Sequence, residues 1–154
     1  MPRDSHSVMI GASCEDVFDL VHDYDRRLDW DTMLREARLL GGAVAAGPGV
    51  RTRCVGTWKG AFQALETEYV RFERGRIATV KLTNHPLFFR RFAATIRHEA
   101  LGARSSRLTY TYSFQAGPAL LAPLLEPIMR NRMAREVRDR LGALRDFLER
   151  NCQK

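Results

Sequence analysis

The sequence predicts an α+β domain, with a curved antiparallel sheet of about seven strands, two short helices after the first strand, and one long C-terminal helix gripped by the sheet. Three patterns predict it. Apolar and polar residues alternate with period two through most of the stretch from Leu34 to Phe114. From Leu121 to Leu148 the apolar residues recur at spacings of mostly three and four. Between the first strand and the strand run, helix-start chemistry appears at Ser13.

The first strand, Ser7-Val8-Met9-Ile10, ends at Gly11. Ser13 is placed as an N-cap, with Asp16 in the first turn, and Val17, Leu20 and Val21 recur at helical spacing. A second helical turn, Asp23 to Asp31, is polar and pinned by Trp30. The strand run begins at Leu34–Leu40. Gly41 to Gly49 form a hairpin loop, which no Gly-Lys-Ser/Thr follows as a phosphate cradle would require. Val50–Val55 and Phe62–Val70 come next, with Gly56 and Gly60 marking a turn or bulge around Trp58. Arg76–Leu82, Phe89–Ala100 and Ser106–Phe114 complete the run, and in the last Leu108, Tyr110, Tyr112 and Phe114 share one face. Gly117-Pro118 ends the sheet. The closing helix, Ala119 to Glu149, would extend about 45 Å, and Pro123 and Pro127 predict a kink or an irregular start.

Six consecutive antiparallel strands curl, and a single helix does not fill the trough they make, so a gap between helix and sheet is expected. The length of 154 residues suits one domain, 1–154. The formal net charge of +7 comes mainly from arginines scattered among acids, which reads as a solvated basic surface; this makes nucleic acid an unlikely partner and leaves contact with an anionic membrane open. Cys14, Cys54 and Cys152 lack disulfide or zinc spacing, and the histidines form no His-Glu-x-x-His pattern. No metal and no cofactor are therefore expected. No Gly-x-Ser-x-Gly elbow is present. The chain carries no signal-peptide core or long apolar run, and a cytoplasmic location is expected.

Three stretches carry a family resemblance: Val8 to Val21 with Asp23 and Trp30 after it, Arg107 to Phe114, and Leu121 to Arg130. In these the chain resembles the START-like, polyketide cyclase/dehydrase-related superfamily (SRPBCC), also described as the helix-grip fold. The layout is similar to the quinone-binding branch as well, although Arg27-Leu28-Asp29-Trp30-Asp31 looks closer to the polyketide-cyclase-like branch. The resemblance implies a cavity for apolar or amphipathic molecules such as lipids, sterols, polyketides, hormones and quinones, with enzymes in some branches only. Fold alone does not decide among these.

Strand alternation and helix period place Phe62 and Glu66, Phe92, Ile96 and His98, Tyr110 and Tyr112, and Leu124, Leu125 and Ile128 toward the cavity as ligand-binding candidates. A one-residue slip in the strand of Glu66 would turn it outward and bring Leu65 and Tyr69 in. Glu66 and His98 are the candidates for acid or base chemistry; set against this, a strand glutamate is usually solvated and a strand histidine satisfied or exposed. The tyrosines offer one oriented hydroxyl in an apolar site, or simply core packing. Phe88-Phe89-Arg90-Arg91-Phe92 could stack bases, and equally starts an ordinary strand. Arg130, Arg132, Arg135, Arg138 and Arg140 read as a solvated helix face interrupted by acids.

The expected function is binding of an apolar or aromatic small molecule, lipid, polyketide or quinone-like, between sheet and helix. Aromatase/cyclase-like catalysis is the alternative and a basic surface module a third reading. Whether the protein is an enzyme, and its oligomeric state, are left open by the sequence.

Overall fold

The computed structural model describes residues 3–56 and 64–151. The expectations for Trp58, Phe62 and Cys152 therefore lie outside the described residues. The elements are β1 (Arg3–Ile10), α1 (Cys14–Val21), α2 (Arg27–Trp30), β2 (Leu34–Leu39), β3 (Arg51–Gly56), β4 (Ala64–Glu73), β5 (Ile77–Leu82), β6 (Phe89–Gly102), β7 (Ser105–Ala116) and α3 (Ala122–Asn151). This is the predicted α+β order, with seven strands in one antiparallel sheet.

The spatial order is β1-β7-β6-β5-β4-β3-β2, so consecutive strands pair everywhere except between β1 and β2. Those two stand at opposite edges, and α1 and α2 carry the chain from one edge to the other. Ser13 caps α1 as its position predicts, its Oγ accepting from the Asp16 N–H at 3.2 Å. Val17, Phe18, Leu20 and Val21 of α1 face the core and are buried, whereas Glu15, Asp16 and Asp19 are exposed.

Register decides which side chains face α3. One row across the inner face runs His6, Tyr110, Ile96, Ala78 and Phe72; the next runs Asp4, Tyr112, Ala94, Val80 and Tyr69. A bulge between Tyr69 and Arg71 shifts the phase of β4, so that Tyr69 and Phe72 both turn inward. The outer face carries a hydroxyl ladder, with Ser5 and Thr111 3.1 Å apart and Thr79 and Thr95 also at 3.1 Å.

The C-terminal half of α3 packs Val137, Leu141, Leu144 and Leu148 into the main core with Ile10, Leu108 and Phe114. Each such burial contributes roughly 1.5–3 kcal/mol relative to exposure. Pro127 lies inside α3, which runs continuously from Ala122, so the expected irregular start is confined to the turn before it, where Leu124 and Leu125 N–H both bond the Leu121 carbonyl. No described helix is long and apolar enough to cross a membrane.

Candidate functional site

The inner face of the sheet gathers most of the predicted positions. Ile96 stands beside Tyr110, Phe92 beside Phe114, and His98 beside Leu108. Tyr112 is wholly buried; its ring lies 6.0 Å from that of His6, and its hydroxyl has no hydrogen-bond partner. Burial, with Asp4 nearby, pushes that hydroxyl up to about 12. His98 is buried against Phe18, ring centroids 5.1 Å apart, and neither ring nitrogen has a partner among the described residues. Desolvation alone lowers its pKa to about 4, so at neutral pH it is an uncharged base.

Three predicted positions are corrected. Glu66 pairs with Arg53 across β3 and β4, on the face opposite Thr67 and Tyr69, so the slipped register is the actual one and Glu66 points away from α3. Leu124 and Ile128 are exposed, at 70% and 67%, whereas Leu125 is half-buried. The inward stripe of α3 runs instead through Leu125, Met129, Met133, Val137 and Leu141. Adjacent leucines at 124 and 125 make the stripe's phase ambiguous in sequence, and packing of Met129 and Met133 against the core selects one phase.

A polar cluster that the sequence reading missed lies where α2 meets α3. Asp31 is 1% exposed. Its Oδ2 accepts from Arg27 Nε at 2.9 Å, and its Oδ1 accepts from the Met33 N–H at 3.1 Å. Arg140 Nε also stands 2.9 Å from Asp31 Oδ2, as an ion pair whose N–H is not aimed at the oxygen. Arg27 is further held by its bond from Nη1 to the Val21 carbonyl, 3.2 Å, and lies over the rings of Trp30 and Tyr24 at 5.0 and 5.6 Å. Burial works against charge on Asp31, yet Arg140 and Arg27 overcome it and hold the carboxyl below its usual value. Arg140 was read as part of a solvated series; it falls three residues after Val137 and four before Leu144, on the apolar stripe, and that spacing was the available signal.

Beside this cluster runs a chain of hydroxyls. Tyr69 Oη donates to Tyr24 Oη at 3.3 Å, and His22 Nδ1 lies 2.7 Å from Tyr69 Oη. His22 Nε2 has no partner among the described residues. Burial, then Arg27, lower the His22 pKa well below the usual value. A neighbouring bond joins the Thr52 and Thr67 hydroxyls, 2.8 Å apart. His22 and Tyr24 also line a cleft of about 290 Å³, with Phe18, Leu39, Phe72 and Arg74, that opens between α1 and the loop joining β2 to β3. Among the described residues no three His, Cys, Asp or Glu side chains come together as a metal site requires.

The sheet order and the long helix laid against β1 and β7 define a helix-grip fold. More narrowly, the chain belongs to the polyketide cyclase / dehydrase and lipid transport family, which it matches over residues 1–149. Solved structures share the fold at low identity. An aromatase/cyclase, Zhui, from a Streptomyces species is 16% identical with a TM-score of 0.80, over 98% of this chain and 95% of that one. A protein from Thermus thermophilus is 17% identical with a TM-score of 0.80, over 97% and 99%. A START superfamily protein from Mycobacterium smegmatis is 17% identical with a TM-score of 0.76, over 96% and 97%. None of the curated proteins matches the chain in sequence.

Proposed function

We propose that this protein binds an apolar or aromatic small molecule, of lipid, polyketide or quinone type, between the inner face of the sheet and α3. One observation carries the reading. Tyr110, on the inner face of the sheet, and Arg140, on the apolar stripe of α3, are each only half-buried. Side chains in a filled core keep almost no accessible surface, whereas side chains around an internal space keep some. Ile96, Phe92 and Val80, half-buried on the same face, supply the apolar wall, and Tyr110 supplies an oriented hydroxyl. The cleft at His22 and Tyr24 is the way in. The family's description, which joins cyclases with lipid transport, supports the ligand class.

The test is native mass spectrometry of the purified protein followed by denaturing extraction. A stoichiometric apolar or aromatic compound is expected, and a panel of fatty acids, quinones and polyphenols should raise Tm. No co-purified molecule and no Tm response to any of the panel would refute the reading. A second reading is cyclase-like catalysis with His98, a neutral imidazole on the inner face, as the base; its ring nitrogens are buried, so the reading requires ligand binding to uncover them. It requires turnover that His98→Phe abolishes while ligand binding persists.

A further inference from the structure

The buried cluster of Arg27, Asp31 and Arg140 is not electrically closed. Two guanidinium groups face one carboxylate, which leaves one positive charge inside the protein. The other groups acting on Arg140 are Tyr110 and Cys54, and burial pushes both upward, so they are neutral at pH 7. An uncompensated buried charge is costly, and structures that retain one usually give it an anion.

The two arginines differ in how fully they are used. Arg27 has an aligned bond to Asp31, a bond to the Val21 carbonyl, and two aromatic faces. Arg140 has the ion pair to Asp31 with its Nε–H directed elsewhere, and 17% of its side chain stays accessible. Asp31 already accepts from Arg27 at Oδ2 and from the Met33 N–H at Oδ1, and its single charge balances only one of the two guanidinium groups. The Tyr110 hydroxyl is among the groups that act electrostatically on Arg140, and Ile96 stands beside Tyr110 on the neighbouring strand.

We propose that Arg140 anchors one anionic oxygen group of the ligand, a carboxylate or an ionised enol or phenol, while the ligand's apolar body lies along Ile96 and Tyr110. The proposal rests on the binding reading above and names the chemical class of what is bound. A guanidinium presents paired donors that match two oxygens or one charged oxygen, and here the contact forms away from bulk water, where charge-assisted hydrogen bonds are strongest. Asp31 acts as a positioning residue. It holds the Arg140 side chain at the inner wall without neutralising both arginines.

Two fluorescent probes with one skeleton test this: 1-anilinonaphthalene-8-sulfonate and N-phenyl-1-naphthylamine, which differ only in the sulfonate. The wild-type protein should bind the sulfonate about tenfold or more tightly than the neutral probe, the size of a charge-assisted hydrogen bond. The two should displace each other, and added salt should weaken the sulfonate only slightly, unlike binding at surface arginines. Arg140→Gln should bring the sulfonate down to the affinity of the neutral probe and leave the latter unchanged. If that variant does not fold, Arg140→Lys, which keeps the charge and loses the fork, should retain part of the preference. Displacement of the sulfonate probe by 2-naphthoate points to an aromatic acid and displacement by oleate to a lipid acid; displacement by neither overturns the proposal. Equal affinity of the two probes for the wild-type protein overturns it as well and leaves the binding reading standing. Failure of both probes to bind removes both.

Discussion

His98→Leu should make the protein more tolerant of acid. The ring is 5% exposed, packed on Phe18, with both nitrogens lacking partners among the described residues, and its pKa is lowered to about 4 from an ordinary 6.5. Above pH 6.5 the histidine is neutral in both folded and unfolded chains and contributes no pH dependence. As pH falls below 6.5 the unfolded chain takes up a proton that the folded one refuses, so stability drops until the folded pKa near 4 is reached. At about 1.4 kcal/mol per unit the full loss is about 3 kcal/mol. His22, lowered well below its usual value by burial and then by Arg27, acts in the same direction. Urea denaturation between pH 7.5 and 4.5 reads this directly. The wild-type slope should exceed that of His98→Leu by close to one proton, about 1.4 kcal/mol per pH unit at its steepest. At pH 7.5 the leucine should be neutral or stabilising, since it removes two unsatisfied ring nitrogens from the core. Equal slopes for the two proteins would refute the desolvation argument, and a large loss at pH 7.5 would show that the ring makes a polar contact.

Two further outcomes follow from the same geometry. Asp31→Ala leaves Arg27 and Arg140 buried together without their carboxylate and should cost about 3–5 kcal/mol, measured by urea denaturation at pH 7; because the Asp31 pKa is lowered, the wild-type protein keeps this contribution above the ordinary carboxyl range and loses it only as pH falls beneath it. Glu66→Gln, on the outer face beside Arg53, should shift stability by no more than about 0.5 kcal/mol and leave binding of N-phenyl-1-naphthylamine unchanged.

What could be read from the sequence was what neighbours along the chain decide. Ser13 with Asp16 starts α1 because capping is a contact across three residues, and Leu108 to Phe114 alternate because a strand's side chains do. The α+β order, the seven strands and the long helix follow from such short-range rules, and Phe92, Ile96, His98, Tyr110 and Tyr112 were placed on the inner face by alternation alone. Glu66 went astray because alternation fixes a face only up to a one-residue slip, and it is the pairing of Thr67 with Thr52 and the bulge after Tyr69 that settle β4. Leu124 and Ile128 went astray because the helix's start has leucines on two sides. The tertiary structure alone decided the polar centre. Arg27 and Asp31 are i, i+4 partners on one short helix, but Arg140 reaches them only because β1 and β2 occupy opposite edges and α3 returns across the sheet beneath α2. Charges meeting from opposite ends of a chain leave no periodic trace in it, since burial and pairing arise from the fold's closure and not from local pattern.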